Sequence, residues 1–303
     1  MNVLVTGAAG FLGQGVIRAL QDAGHCPLGL DIRRDPLVDV EADIRHPEAC
    51  RRALAQLPPI DAVVHAAALA HVNRVDRNLC MAINVDGTRH MLQAAREAGV
   101  TRFVYVSSVT VYGDYDLAVP VDESSPWQPA GLYGTSKRDA ESAVHAGGLP
   151  QTWILRLATM YSAGWTLNIR KRVLDPLFGR AYLRLGTQQP RYSLCSRENA
   201  AAAVVWAIDG RLAPGTYNVA DDHVYSQDEI RRGVEASEGH RPVIPVPLAF
   251  GHAAGWLARS TSVPFIAGPA GRSRHWKFFE ANVYSTARLR GTGFLAPPHL
   301  LEY

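Results

Sequence analysis

Short apolar segments alternate with longer amphipathic segments through the first half of the chain. The apolar segments are rich in β-branched residues and bounded by Gly, Asp or Pro, which is typical of buried strands; they are residues 3–6, 27–30, 62–66 and 103–107. The segments between them have the 3.6-residue period of helices, over residues 11–23, 47–57 and 84–98. Gly24 and Gly99 follow two of these helices, where a left-handed C-cap is expected. This alternation predicts an α/β fold, a doubly wound parallel sheet covered by helices.

The alternation becomes irregular from about Trp165 onward, where prolines are frequent and short strands and helices have no regular spacing. Residues 251–259 have an amphipathic pattern, which predicts a surface helix that packs its Ala, Trp and Leu face inward. A chain of 303 residues has the length of about two domains. We therefore expect a sheet domain over residues 1–163 and a smaller C-terminal lobe over residues 164–303, with segments that return to the sheet.

The composition is that of an ordinary globular protein, with 47% hydrophobic residues, 19% charged residues and a net charge of +3. No apolar run approaches the roughly 20 residues of a membrane span. The basic residues occur in short groups without a basic face or an aromatic RNA-binding motif, so nucleic acid is not an expected partner. The four cysteines are scattered without a CxxC pair. We therefore expect no metal site, no disulfide framework and a reducing, cytoplasmic location.

Three glycines follow the first predicted strand at intervals of three: Gly7, Gly10 and Gly13. Glycine permits a tight turn, lets backbone amides approach a pyrophosphate and allows the next helix to lie close to the strand. The N-terminus of that helix adds a partial positive charge. The loop therefore indicates a dinucleotide site.

Asp31 closes the second predicted strand, at the spacing expected of an acid that binds the adenosine ribose. This favours NAD over NADP. Arg33 and Arg34 follow directly and are an alternative signal, because they can hold the 2′-phosphate of NADP. Asp43 and Ile44 lie where a residue can meet the adenine amino group, although a surface loop explains Asp43 equally well.

Tyr133 and Lys137 begin another predicted helix, and their i, i+4 spacing places the phenol and the ammonium on one face. A free tyrosine has a pKa near 10, so a role as base at neutral pH requires about three units of depression by a neighbouring cation. Ser108 directly follows the predicted strand at residues 103–107, and active sites of open parallel sheets lie at the carboxyl ends of the strands. We expect Ser108 to hold a substrate oxygen beside Tyr133.

Together these residues resemble the extended short-chain dehydrogenase/reductase family, in its branch of NAD-dependent nucleotide-sugar epimerases, dehydratases and 4-keto-sugar reductases. The resemblance covers nearly the whole chain. It rests on Thr6-Gly7-Ala8-Ala9-Gly10-Phe11-Leu12-Gly13, His65-Ala66-Ala67-Ala68, Asn84-Val85-Asp86-Gly87-Thr88, Ser107-Ser108 before Val111-Tyr112-Gly113, and Tyr133 with Lys137.

The resemblance implies a Rossmann fold in which residues 1–163 bind the dinucleotide and residues 164–303 mainly bind substrate. It implies that Tyr133 is the general acid/base, that Lys137 lowers the pKa of Tyr133 and binds the nicotinamide ribose, and that Ser108 orients the reacting oxygen. The other cofactor-binding residues that it implies are Gly7, Gly10, Phe11, Leu12, Gly13, Asp31, Asp43, Ile44, Ala66, Ala67, Ala68 and Asn84. The implied reaction is hydride transfer between a substrate carbon and C4 of the nicotinamide.

The resemblance also proposes substrate contacts, with Thr110 next to Ser108 and with Asn168, Arg191 and Arg272 in the C-terminal lobe. A guanidinium at Arg191 pairs bidentately with a nucleotide-sugar diphosphate in this family. The chain departs from the family pattern at Tyr161-Ser162-Ala163-Gly164-Trp165, where the family usually continues Tyr-Gly-Pro. Three apolar residues could line the sugar pocket in this chain and make it more apolar, or they could be core residues: Trp165, Met160 and Phe178.

Three functions fit these observations. The chain is expected to be a nucleotide-sugar 4-epimerase or 4-keto-sugar reductase. A second interpretation is an NAD(P)-dependent dehydrogenase of a hydrophobic alcohol, such as a sterol-like or polyketide substrate; a third is an NAD-binding sensor or scaffold without turnover. The family commonly pairs the helix that carries Tyr133 with its copy, which implies a homodimer.

Overall fold

The computed structural model describes residues 1–70, 76–113, 120–129, 131–174, 180–185, 190–246 and 281–300. The strands are β1 (Asn2–Thr6), β2 (Cys26–Asp31), β3 (Val40–Glu41), β4 (Ala62–His65), β5 (Arg102–Ser108), β6 (Gln151–Leu157), β7 (Thr159–Tyr161), β8 (Tyr182–Leu185), β9 (Arg191–Ser196), β10 (Gly215–Val219), β11 (Val224–Ser226) and β12 (Val243–Val246). The α-helices are α1 (Phe11–Asp22), α2 (Pro47–Gln56), α3 (Arg77–Met81), α4 (Gly87–Glu97), α5 (Gly131–Ala146), α6 (Arg197–Ile208), α7 (Gln227–Glu238) and α8 (Ala287–Arg290). The helix expected at residues 251–259 and the residues Phe178 and Arg272 lie outside the described residues.

Seven parallel strands form the central sheet in the order β10-β6-β5-β4-β1-β2-β3. The predicted doubly wound parallel sheet is confirmed. Helices α1 and α6 cover one face and helices α2, α4 and α5 cover the other. Successive residues of β1 alternate between the two cores, with Val3 and Val5 facing α1 and Leu4 facing α2. Burial on both faces explains why these strands form continuous apolar runs in the sequence.

The second half of the chain adds a three-stranded sheet, β11-β9-β7, and a parallel pair, β12-β8. Its core contains buried tyrosines, among them Tyr161, Tyr182, Tyr192 and Tyr225. One strand from this half, β10, pairs with β6 at the edge of the central sheet. Among the described residues we find no helix with the length and apolar character needed to cross a bilayer.

The helix expected at residues 84–98 starts earlier than its periodicity indicates. It is continuous from Arg77 and contains a π turn, Ala82–Asp86, between α3 and α4. A π turn inserts an extra residue per turn, so the apolar pattern changes phase and the 3.6-residue period is lost at that point. The turn contains Asn84, and such turns are frequent at functional sites.

Candidate active site

The glycine loop brings the backbones of β1, α1 and β4 within contact. Gly7 has φ +73°, and a Cβ at Gly7 would lie 2.8 Å from the amide nitrogen of Ala67. A Cβ at Gly13 would lie 2.1 Å from the Gly7 carbonyl oxygen. No side chain caps the N-terminus of α1, because the N-cap residue is Gly10. The N-terminus of α1 therefore has first-turn amides without a side-chain cap, which fits binding of a pyrophosphate.

Asp31 lies at the end of β2 with 7% of its surface exposed. Its Oδ2 accepts a hydrogen bond from the Ala9 amide at 3.1 Å, which ties the acid to the glycine loop. Its Oδ1 accepts from the Arg33 amide at 3.0 Å and from Arg33 Nε at 3.4 Å. Arg34 pairs instead with Glu41. Because the Asp31 carboxylate accepts hydrogen bonds and repels a phosphate, and because Arg34 is directed to Glu41, the arrangement fits a ribose hydroxyl better than a 2′-phosphate.

A chain of hydrogen bonds supports the cleft from behind. The Ala67 amide donates to Thr6 Oγ1 at 3.2 Å, and Thr6 Oγ1 lies 2.8 Å from His65 Nδ1. His65 Nε2 lies 3.1 Å from Thr88 Oγ1, which donates to the Asn84 carbonyl. Since Thr88 already donates, His65 donates from Nε2 and accepts at Nδ1. Burial lowers the pKa of His65 to about 3, so the imidazole is neutral and rigid.

Ala66, Ala67 and Ala68 follow β4 at the edge of this cleft and are half-buried. The Ala66 amide donates to the Thr6 carbonyl at 3.3 Å, so the loop after β4 lies directly against the glycine loop. The structure therefore brings the two predicted cofactor-lining segments together.

Tyr133, Lys137 and Ser108 meet where α5 packs on the carboxyl end of β5. Lys137 Nζ is buried, donates to the Val106 carbonyl at 2.7 Å and lies 5.9 Å from the centre of the Tyr133 ring. Burial raises the pKa of Tyr133 to about 12, and a hydrogen bond with the Ser108 side chain opposes this increase. Burial also lowers the pKa of Lys137 to about 8, against the opposing charge of Glu141. The phenol, the ammonium and the hydroxyl thus form one compact acid–base group.

Asn84 connects this group to the cofactor cleft. Its Oδ1 accepts from the Leu69 amide at 2.7 Å, and its Nδ2 donates to Ser136 Oγ at 2.9 Å. Ser136 Oγ in turn donates to the Tyr133 carbonyl at 2.8 Å. Asn84 therefore holds the start of α5 against the loop after β4, and contacts made by the π turn position Tyr133.

The sequence that forms this site matches a known protein family. The model of the NAD dependent epimerase/dehydratase family matches residues 3–220. The chain belongs to this family. The expected resemblance, the NAD cofactor and the class of NAD-dependent epimerase/oxidoreductase are thereby confirmed.

Relatives of this family member catalyse different reactions. The present chain is 29% identical to the 3-beta-hydroxysteroid dehydrogenase of Mycolicibacterium neoaurum over 281 residues, which cover 84% of this chain and 76% of the relative. It is 26% identical to the N-acetyl-alpha-D-glucosaminyl-diphospho-ditrans,octacis-undecaprenol 4-epimerase of Escherichia coli O157:H7 over 312 residues, 98% and 91% of the two chains. Among solved structures it is similar to the UDP-glucose 4-epimerase of Thermus thermophilus in complex with NAD, with TM-score 0.71, 23% identity and coverage of 97% and 93%.

In this epimerase/dehydratase family member, Asp43 and Ile44 have different surroundings. Asp43 pairs with Arg45, with Nε at 3.0 Å from Oδ1 and 2.9 Å from Oδ2, and these hydrogen bonds hold its pKa below the usual value. Ile44 is buried, packs toward α4 and uses its carbonyl to accept from His90. An adenine contact at this position would therefore come from Asp43 or from the backbone rather than from the Ile44 side chain.

The predicted substrate residues are not all in one place. Thr110 lies in the short 3-10 turn after Ser108, and its hydroxyl is buried and finds no hydrogen-bond partner within the described part of the chain. Such an orphaned donor beside Ser108 fits a bound polar ligand. Asn168 and Arg191 lie in the C-terminal lobe, where the Asn168 carbonyl accepts from Arg172 and Arg191 is exposed at the start of β9.

Trp165 and Met160 take separate positions. The Trp165 ring stacks on Phe11, with the ring centres 3.9 Å apart and the planes at 22°. Phe11 is the first residue of α1, so Trp165 lies against the start of the helix that follows the glycine loop. Met160 packs against the main core.

Glu141 and Arg156 are buried near the acid–base group and belong to none of the motifs that the sequence analysis identified. They form an ion pair at 2.7 Å. A signal was present in the sequence, because Arg156 interrupts the apolar run Ile154-Leu155-Arg156-Leu157 of a strand expected to be buried. A charge at such a position requires a partner; only the packing of α5 on β6 reveals which one.

Proposed function

We propose that this protein is an NAD-dependent nucleotide-sugar 4-epimerase or 4-keto-sugar reductase that transfers a hydride at a sugar carbinol or ketone. The observation that carries the proposal is the convergence of Tyr133, Ser108 and Lys137 where α5 packs on the carboxyl end of β5, in a chain that belongs to this family. Relatives named as 4-epimerases support it, and the Escherichia coli relative aligns with nearly the whole chain. In this proposal the dinucleotide domain is residues 1–163 and the substrate lobe mainly residues 164–303.

Tyr133 moves the hydroxyl proton of the substrate. In oxidation, the Tyr133 phenolate takes the proton from the carbinol oxygen while Ser108 and Thr110 hold that oxygen. In reduction, the phenol returns the proton to the ketone oxygen. Bound NAD supplies C4 of the nicotinamide, which accepts or returns the hydride. Because the pKa of Tyr133 is about 12, the protonated phenol is its form at neutral pH, and the phenolate requires the Lys137 ammonium and further positive charge beside it.

The cofactor residues divide by the part of NAD that they would hold. The amides after Gly10, at Phe11 and Leu12, would hold the pyrophosphate, and Asp31 would accept from the adenosine ribose. Lys137 would bind the nicotinamide ribose, and the residues Ala66 to Ala68 would line the cleft. Arg191 and Arg272 are proposed to pair with the substrate diphosphate, and Asn168 is proposed as a further substrate contact.

A dehydrogenase of a hydrophobic alcohol is the second candidate. Two observations favour it: the sterol dehydrogenase relative from Mycolicibacterium neoaurum, and the stack of Trp165 on Phe11, which adds an apolar ring beside the glycine loop in the stretch that departs from the family's Tyr-Gly-Pro pattern. The same acid–base group serves both functions, since each begins with oxidation of a carbinol or reduction of a ketone.

A thermal-shift panel separates the two candidates. The NAD-loaded protein is heated with UDP, GDP, dTDP or CDP, and separately with a set of apolar alcohols that includes a sterol. A ligand at 100 times its Kd adds about 2.7 kcal/mol of stability. Stabilisation by one nucleoside diphosphate is expected; a flat response to all four, with a shift from an apolar alcohol, would replace the first candidate by the second.

A further inference from the structure

Glu141 is a fully buried carboxylate one helical turn beyond Lys137 on α5. Arg156 of β6 binds it with two nitrogens: Nη2 donates to Oε2 at 2.7 Å and Nε donates to Oε1 at 3.0 Å. The hydroxyl of Ser107 donates to Oε1 at 2.5 Å. Because Ser107 directly precedes Ser108, the carboxylate holds together the elements that carry Lys137 and Ser108.

Arg156 also makes contacts on the side of the ion pair away from Lys137. Its Nη1 donates to the Tyr112 hydroxyl at 2.7 Å, and that hydroxyl donates to Asn218 Oδ1 at 2.7 Å. The guanidinium carbon lies 4.9 Å from the centre of the Tyr112 ring and 5.7 Å from that of Trp127. Both charges are thus buried, paired and hydrogen-bonded. Removing one partner would leave the other uncompensated.

The charge of Glu141 stabilises the ammonium of Lys137, as the groups around Lys137 show. The titratable groups that face it are Tyr133 and Glu141 from α5, Tyr105 from β5, Cys80 from α3 and His65 from β4. His65 is neutral, and burial keeps the phenol of Tyr105 and the thiol of Cys80 protonated. Glu141 is therefore the group of this set that brings a negative charge to the ammonium.

We propose that the Glu141–Arg156 ion pair is a positioning unit of the active site, which holds Ser108 and Lys137 at a fixed spacing and sets, through its charges, the pH at which Tyr133 ionises. This inference rests on the proposed function, in which Tyr133 and Lys137 are the acid–base pair. Glu141 and Arg156 act through Lys137 and Ser107 and do not touch substrate.

The test uses the opposite signs of the two charges. Tyrosinate absorbance is titrated in the NAD⁺-saturated protein, and the Tyr133 signal is isolated by subtracting the same protein with Tyr133→Phe. Loss of the Glu141 carboxylate destabilises the Lys137 ammonium and so raises the pKa of Tyr133, whereas loss of the Arg156 guanidinium favours that ammonium and lowers the pKa of Tyr133. We expect Glu141→Gln to raise this pKa by about one unit and Arg156→Gln to lower it by a smaller amount.

The double variant E141Q/R156Q guards against misfolding, because a neutral pair is tolerated in a buried site better than a single unpaired charge. It should raise the pKa of Tyr133 by less than Glu141→Gln does, since the more distant positive charge leaves with the negative one. The matched control is Asp139→Asn on the solvent side of the same helix, where Asp139 pairs with Arg138, and it should leave the titration unchanged.

Shifts of the same sign in Glu141→Gln and Arg156→Gln, or no shift in the double variant, would overturn the inference and leave the ion pair a purely structural one. Failure of the proposed function is a different result: Tyr133→Phe would retain turnover, or its subtraction would reveal no titrating phenol in wild type. The two failures are therefore distinguishable.

Discussion

Burial determines how Tyr133 and Lys137 behave as acids. It raises the pKa of Tyr133 to about 12 and lowers that of Lys137 to about 8, so each charged form is disfavoured when taken alone. The ionised pair is stabilised when the Tyr133 phenolate and the Lys137 ammonium lie beside each other, because their opposite charges attract. This coupling is a property of the packed site, because neither residue has it in the unfolded chain.

Replacement of Tyr133 by Phe tests the acid–base role directly. The variant removes one hydroxyl and keeps the ring, so NAD binding should persist while turnover falls at least about 100-fold, the lower range for general acid–base catalysis. Turnover and NAD binding by calorimetry are the two measurements. Tyr217→Phe is the matched control, since it removes a hydroxyl that donates to the Ala213 carbonyl on the edge strand side of the sheet. Unchanged turnover in Tyr133→Phe would contradict the mechanism.

His65 makes stability depend on pH. Its pKa is about 3 in the folded protein and near 6.5 in the unfolded chain. As the pH falls below 6.5, the unfolded chain takes up a proton that the folded protein does not, so the free energy of unfolding decreases by up to about 1.4 kcal/mol per pH unit. This contribution is fully present above pH 6.5 and is lost toward pH 3.

Urea denaturation of wild type and His65→Gln at several pH values measures this contribution. At neutral pH the variant should be less stable by about 1–3 kcal/mol, because Thr6 and Thr88 lose their partner. Between about pH 6.5 and pH 4.5 its stability should fall less steeply than that of wild type. Parallel slopes for the two proteins would show that another group is responsible.

At the scale of elements, local pattern predicted most of the sheet and the site-bearing turns. The strand–glycine loop–helix unit and the positions of Ser108, Tyr133 and Lys137 follow from short-range sequence, because turn, period and helix face are local properties. The π turn, the two-residue strand β3 and the partner of Glu141 were missed. They arise from packing between segments distant in sequence, which no local period encodes.

Two glycines allow the effect of a steric clash in the glycine loop to be compared with the effect of backbone strain outside it. Gly13→Ala places a Cβ against the Gly7 carbonyl oxygen, so we expect a loss of about 1–3 kcal/mol in stability and at least a tenfold loss in NAD affinity. Gly24→Ala is the control: its φ is +78° with no atom near the added Cβ, so it should cost about 1 kcal/mol and leave NAD affinity unchanged. Thermal melts with and without NAD measure both quantities. Unaltered NAD affinity in Gly13→Ala would contradict the assignment of the loop.

At the scale of the whole molecule, the resemblance predicts a homodimer, and we propose that it would pair through the face formed by α4 and α5. A groove runs between these helices. It is lined by Arg89, Leu92, Gln93, Arg96, Ala143, Ala146 and Gly147. Because α5 also carries Tyr133 and Lys137, pairing of this face would stiffen the helix that presents the acid–base group.

Ala146→Arg tests this arrangement. A large, positively charged side chain beside Arg89 and Arg96 should prevent close approach of a second copy and convert the dimer to a monomer in light scattering. Ala55→Arg on the exposed face of α2 is the matched control and should remain dimeric. A wild-type protein that is monomeric at all concentrations, or a dimeric Ala146→Arg variant, would remove this face as the interface.

The sequence by itself determined the fold class and predicted the dinucleotide loop and the acid–base residues, because each depends on short motifs whose geometry is local. Only the tertiary structure decided what those residues experience: the shifted pKa values, the neutral state of His65, the stack of Trp165 on Phe11 and the pairing of Glu141 with Arg156. These are consequences of burial and of contacts across long sequence separations. They exist only when the sheet and its helices are packed together.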